Sequence, residues 1–429
     1  MNQENNKSKS LGIFSWCLFD WAHSAYPTVI VTFIFGTYFV RSVAPSTVEG
    51  TALWGWTMGL SGVVVAILCP IIGSIADHTG RRKPWLLTFV LLNVMTTSLM
   101  FFTKPDVSYI FWALSLLVIA NTCYEFTQVF YNAMMTYIAP KEKIGRISGW
   151  GWALGYFGGL TCLSIALFVF IRGGWLPTLN NINIRSSTLL VSGWFLFFSL
   201  PLFLFTPDLE KNNIKFREAI KKGMHELVST LKQLKRYKNI MTFLIARLIY
   251  IDGLSTLFVF AGIYAGGSFD MSYMQILMFA MLLNVTAGIG AGIFAWLDDY
   301  IGPKLTICIS LIAIIITGTF LLLISSQTLF WIISAILGLF VGPTQAASRS
   351  YMAHITPKEL TNQMFGIYQF SGRITSFVGP LLVGTLTKVF NSQRIGMLII
   401  FVLMLIGFLI LLKVPNINKS NSNSKPNPN

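Results

Sequence analysis

Six ionisable side chains stand inside long apolar runs: Asp20, Glu125, Arg247, Asp252, Arg349 and Arg373. A charge in hydrocarbon is expensive and persists where it pairs, binds a charged solute or carries a proton. Their polar neighbours recur at helical spacing. Asn121, Glu125, Gln128 and Asn132 form one stripe, and Asp20, Ser24 and Thr28 a second. Gln345 shares a face with Arg349, and Gln369 and Ser376 share one with Arg373. Polar stripes on apolar helices face each other or water. Carboxylates and guanidinium groups gathered this way can hold both ends of a zwitterion or relay protons. Arg247 and Asp252 do not share a face, so Arg247 is expected to reach for the membrane surface. The chain has no phosphate-binding Gly-Lys loop, no His-Glu-x-x-His and no nucleophile elbow, so neither ATP-driven nor hydrolytic chemistry is expected. The five cysteines are isolated and lack metal-ligand spacing, so no metal or cofactor is expected.

The elements that hold these residues are membrane helices. Of 429 residues, 54% are hydrophobic and 11% charged, well below the roughly 25% charged residues of a soluble chain. Several apolar runs are long enough to cross a bilayer. We count twelve spans, at 14–40, 52–76, 84–103, 107–135, 145–171, 188–206, 240–265, 272–296, 304–324, 328–352, 362–386 and 395–413. This gives an all-α integral membrane protein with a six-helix half over 1–206, a connector over 207–239, a second half over 240–413 and a disordered tail over 414–429. From the polar start, which lacks a small-residue cleavage site after an apolar core, no cleaved signal peptide is expected. With both termini inside, 22 of the 31 Lys and Arg fall on the cytoplasmic side, six outside and three within spans. The net charge of +15 thus follows the positive-inside rule in an inner or plasma membrane and calls for no nucleic acid. The connector carries nine Lys or Arg, with Ile220, Met224, Leu227, Leu231 and Leu234 on one helical face. It is expected to lie on the anionic inner leaflet.

The chain is also internally repeated. Ile138, Pro140, Lys141, Glu142, Gly149 and Gly155 map onto Ile355, Pro357, Lys358, Glu359, Gly366 and Gly372 at a constant offset of 217. Asp77, Gly80 and Arg82 map onto Asp299, Gly302 and Lys304 at an offset of 222. Thr356, Pro357 and Glu359 read as a capping box at a helix start. The turn Gly73-x-x-x-Asp77-x-x-Gly80-Arg81-Arg82 resembles the loop between helices 2 and 3 of the major facilitator superfamily. That resemblance implies two six-helix halves with substrate held between them. It also implies that spans 1, 4, 7 and 10 line the cavity. The turn and its copy would gate it, with Asp77 meeting the amino end of helix 11 and a loop arginine when the cytoplasmic side is closed.

Further motifs narrow the resemblance. Phe19-Asp20-Trp21-Ala22-His23-Ser24-Ala25-Tyr26, Val129-Phe130-Tyr131-Asn132-Ala133 and Gly145-Arg146-Ile147-Ser148-Gly149-Trp150-Gly151-Trp152 are three of them. Gln345 to Ser350 and Phe370 to Arg373 add two more. All resemble the "unknown major facilitator" family, relatives of fungal vacuolar amino-acid effluxers; His23 departs from it, standing where Asn is expected. The resemblance implies a monomeric secondary transporter of a small polar or zwitterionic solute, an amino acid first. A sugar–cation symporter of the glycoside–pentoside–hexuronide type is the alternative within transport, since its loop is similar to Asp77-His78-Thr79-Gly80-Arg81-Arg82-Lys83-Pro84. A membrane sensor that moves nothing is the alternative outside it.

Overall fold

The computed structural model describes residues 2–210, 212, 214, 216–232, 237–269, 271, 273–373, 375 and 378–416. Among these residues there is no strand. The first span is α1 (Asn2–His23), which runs on through a π-helical turn, the short α2 (Phe35–Tyr38) and a second π-helical turn ending at Val43. Pro27, near the start of the first π turn, lacks a donor and loosens the ladder there. Five helices complete the first half: α3 (Thr47–Thr79), α4 (Lys83–Leu99), α5 (Ile110–Ile138), α6 (Ile144–Ile165) and α7 (Ile182–Phe205). The connector folds as α8 (Phe216–Lys232). The second half is α9 (Lys238–Phe269), α10 (Tyr273–Ile301), α11 (Pro303–Leu323), α12 (Gln327–Ile355), α13 (Thr361–Arg373), α14 (Val378–Phe390) and α15 (Gln393–Leu412).

Eleven segments among the described residues are long and apolar enough to cross a membrane. The remaining expected span, 362–386, is not one helix. It is divided between α13 and α14, each of 13 residues. The cause is visible in the sequence: α13 is polar, and α14 opens with Gly379 and Pro380, a first-turn pair. Asp252 of α9 accepts the Gly379 N–H at 2.9 Å and so caps the new helix end from a neighbouring helix.

The internal repeat is structural. Pro140 and Pro357 have the same backbone conformation (φ −58°, ψ 139° and φ −60°, ψ 140°). Each precedes a short 3-10 turn that leads into α6 or α13. The expected capping box does not form: Thr356 ends α12 and its hydroxyl bonds back to Met352 O at 2.7 Å. Gly149 of α6 lies against Ala291 and Ala295 of α10, and Gly366 of α13 lies against Cys69 and Pro70 of α3. A Cβ at either glycine would come within 2.5–2.6 Å of the facing helix, so the two halves meet backbone to backbone along both seams.

The connector is more closely held than its sequence implies. Gly223 packs on Ser74 and Ile75, the Ser74 hydroxyl donates to Gly223 O at 2.7 Å, and His78 meets Glu226 at 2.8 Å. Ile220, Met224 and Val228 stay exposed. Leu234, the side chains of Leu227 and Leu231, and the tail from 417 lie outside the described residues.

Candidate functional site

The centre of the molecule is an ion pair between the halves. Arg349 Nη1 of α12 donates to Asp20 Oδ2 of α1 at 2.9 Å, with both side chains more than 90% buried. The guanidinium spends its remaining donors on the same neighbourhood. Nε reaches Ser148 Oγ at 2.9 Å, Nη2 reaches Ser148 O at 2.6 Å, and Nη1 also reaches Asn132 Oδ1 at 3.3 Å. Tyr131 donates its hydroxyl to Asp20 Oδ2 at 2.9 Å. Trp16, Tyr131 and Trp152 present ring faces to Arg349 at 5.0, 5.5 and 5.7 Å. The cluster fits because α6 is small where it passes: a Cβ at Gly151 would lie 2.7 Å from Asp20 Oδ2 and 2.8 Å from Arg349 Nη2. Gly155 and Gly159 make the same room for Ser24 and Thr28.

Asn132 and Arg349 are repeat mates, 217 residues apart, and they touch across the pseudo-twofold axis. Arginine can only donate, which fixes the direction of everything behind it. Asn132 presents Oδ1 to Arg349 and gives its amide N to Gln128 Oε1 at 3.3 Å. Gln128 Nε2 then faces His23 Nδ1 at 3.0 Å, which places the ring proton on Nε2, towards Tyr124 O at 3.4 Å. His23 is thereby neutral and stacked on Tyr124.

The other expected residues fan out from the same stripe. Asn121 donates to Ser61 Oγ of α3 at 2.8 Å. Glu125, buried on α5, accepts from Gln369 Nε2 of α13 at 3.2 Å, a second polar contact between the halves. Gln345, the repeat mate of Gln128, accepts from the Tyr156 hydroxyl at 2.8 Å. Asp252 stands apart from the pair as the cap of α14. Arg247 does not reach for the surface. It is buried, lies 3.5 Å over the Tyr368 ring, and bonds Tyr368 O and Ser371 Oγ at 2.8 and 2.9 Å. The Tyr368 carbonyl, the Ser371 hydroxyl and the Tyr368 ring face near the α13 break hold the guanidinium, while Nε has no partner among the described residues. The Arg373 side chain and Ser376 lie outside the described residues. A pocket within the second half is bordered by apolar residues such as Leu257, Phe279 and Phe330 and includes none of these charges.

The end of the bundle that carries the repeated turns is shut, and symmetrically so. Asp77 accepts from Asn362 N, Asn362 Nδ2 and Gln363 N at 2.9, 2.7 and 2.9 Å, capping α13. Its copy Asp299 accepts from Arg146 N at 3.0 Å and meets Arg146 Nε at 3.3 Å, capping α6. Residues 362 and 363 are the repeat mates of 145 and 146, so one contact is made twice, once from each half. A carboxylate suits the positive end of a helix. Gly80 and Gly302 end α3 and α10 with φ of +80° and +92°, a turn that only glycine makes easily. Gly73 lets α13 close in: its Cβ would sit 2.5 Å from Asn362 O. The arginines behave otherwise than expected. Arg82 bonds Ala133 O at 2.9 Å and, through its N–H, Asp208, so it braces the first half and does not bond Asp77. Arg81 is exposed.

Four contributors were missed from the sequence: Ser148, Tyr131, Trp16 and Trp152. Ser148 and Tyr131 lie within quoted motifs, but nothing in their spacing told a ligand from a packing residue.

The comparisons agree with this geometry. The family model described as "Vacuole effluxer Atg22 like" matches residues 36–424. An "Uncharacterized MFS-type transporter YxiO" of Bacillus subtilis is 28% identical over 415 residues, covering 94% of each chain. An "Autophagy-related protein 22" of Eremothecium gossypii is 24% identical, covering 81% of this chain and 74% of its own. Among solved structures, the proton:xylose symporter XylE overlays with a TM-score of 0.72 at 14% identity, covering 97% of both chains. FucP in its outward conformation overlays with a TM-score of 0.72 at 12% identity, covering 94% of this chain and 99% of its own. These overlays concern the fold. Two repeated halves, a turn that caps the opposite half from each side, and a family match over most of the length have one consequence: the chain belongs to the Atg22-like family of major facilitator superfamily transporters.

Proposed function

We propose that this transporter moves a small zwitterionic solute, an amino acid, by alternating access. The observation that carries this is the buried Asp20–Arg349 pair between the halves. Without solute the two charges satisfy each other. An amino acid offers a carboxylate to Arg349 and an ammonium to Asp20, so it can replace the pair without leaving either charge bare. The rings of Trp16, Tyr131 and Trp152 keep the guanidinium in place while its partner changes. A sugar offers no charge to either residue, which disfavours the sugar–cation alternative. The test is uptake by purified protein in liposomes, screened against amino acids, sugars and nucleosides. Amino-acid accumulation is expected; accumulation of sugars alone would replace the proposal.

Both termini and the connector are expected in the cytoplasm, where Lys and Arg cluster under the positive-inside rule. A cysteine probe at Asn180 should be labelled by an impermeant reagent from outside, and one at Lys222 should not. The reverse pattern would invert the molecule.

Glu125 is the candidate for proton coupling, buried on the cavity stripe and held by a neutral amide from the opposite half. A buried carboxylate at a contact between the halves can take up or lose a proton as that contact changes. Glu125→Gln should uncouple uptake from a pH gradient and leave solute exchange intact. Gradient-driven accumulation at wild-type levels would remove Glu125 from the mechanism.

A further inference from the structure

Asp298 precedes the cap Asp299 on the last turn of α10, and it does something different. The residue is 3% exposed, the Ser350 hydroxyl faces its carboxyl group, and among the described residues no cation pairs with it. It is pressed against the start of α6: a Cβ at Gly145 would lie 2.5 Å from Asp298 Cγ and 2.8 Å from Oδ2. The groups around it offer no free cation. From α6 comes Arg146, which is committed to Asp299 at 3.3 Å. From α12 come Ser350, whose buried hydroxyl is a neutral donor facing Asp298, and His354, whose ring nitrogens face Ser350 O and Lys141 O. Lys141 and Lys143 lie on the turn before α6. An isolated carboxylate in such a place is very costly, whereas the un-ionised acid is not. Packing does not require the group, because its mate in the first half, 222 residues earlier, is the buried Ala76.

We infer that Asp298 binds a proton whenever the cytoplasmic end is closed and releases it to cytoplasmic water when α6 and α10 part. The O–H bond breaks, the proton goes to water, the carboxylate is hydrated, and closure reverses each step. Gly145, against which Asp298 packs, lies one helical turn along α6 from Ser148, which holds Arg349, so the seam that hides the proton also secures the central pair. The closed form binds one proton more than the open form. Acid therefore favours closure and alkali favours opening, with up to about tenfold change in the equilibrium per pH unit. The inference rests on alternating access but on no particular solute, nor on Glu125.

The test uses spin labels at Lys141→Cys and Tyr300→Cys, in a background without the five native cysteines, with the distance across the seam followed as pH is raised. The parent protein should shift to the longer distance as pH rises. Asp298→Asn should lose that pH dependence, whereas Asp299→Asn should open more readily at every pH and keep it. Unchanged titration in Asp298→Asn overturns the inference. Should the variant fail to fold, infrared spectra of the wild type decide: closed protein at neutral pH should show the carbonyl stretch of an un-ionised carboxyl group, and its absence overturns the inference. Neither readout requires transport, so both can hold even if no amino acid is moved.

Discussion

Arg349→Ala is expected to abolish solute movement and to lower stability by about 3–5 kcal/mol, the usual cost of leaving one member of a buried ion pair alone. Asp20 would keep only the Tyr131 hydroxyl, and Ser148 O and Asn132 Oδ1 would lose their donor. The informative variants separate fold from function. Arg349→Lys keeps the charge but cannot reproduce a fork that serves Asp20, Ser148 and Asn132 together. It should fold and transport at least about a hundredfold more slowly, a loss of roughly 2.7 kcal/mol in transition-state terms. Asp20→Asn with Arg349→Gln removes both charges, so it should recover much of the lost stability and none of the transport. Thermal unfolding in detergent and solute counterflow in liposomes measure the two effects. Counterflow near wild-type rates in the doubly neutral variant would make the pair a structural fastener.

Asp77→Asn combined with Asp299→Asn is expected to hold open the end that carries the repeated turns. Each carboxylate caps a helix of the opposite half, and losing a cap costs typically about 1 kcal/mol, up to about 2. Both exist only in the closed state, so the double variant should shift the closed-to-open equilibrium by roughly 30- to 1,000-fold. Asp77→Asn alone should slow transport and leave solute affinity within a few-fold, because Asp77 touches no cavity residue. Spin labels at Arg81→Cys and Lys358→Cys, both exposed on turns of opposite halves, report the gap. A closed distance in the double variant would show that the glycine seams alone hold this end shut.

The fold was legible because hydrocarbon enforces it: long apolar runs, basic loops and a constant repeat offset leave little choice of architecture. The stripe on α5 was legible for the same reason, since polar residues at helical spacing in a membrane must find partners. The partners were not. Sequence spacing places Glu125 and Asp20 on inward faces, but only the pseudo-twofold packing decides that Arg349 takes Asp20. Arg247 was misread because a basic residue near a helix end reaches water unless a neighbour breaks its own ladder, and the α13–α14 break lies in another segment. Asp298 escaped notice because the repeat aligned Asp299 with Asp77 and left its neighbour looking incidental. Its meaning lies in Gly145, which brings backbone against it with no donor to offer.

The most direct test of zwitterion exchange at the Asp20–Arg349 pair is competition in counterflow, comparing a transported amino acid with its amide and its N-acetyl derivative. The amide lacks the carboxylate for Arg349, and the acetyl derivative lacks the ammonium for Asp20. The free amino acid should compete, and each derivative should lose most of its effect, because it leaves one buried charge unanswered. Equal competition by all three, or competition by a neutral sugar, would contradict the account.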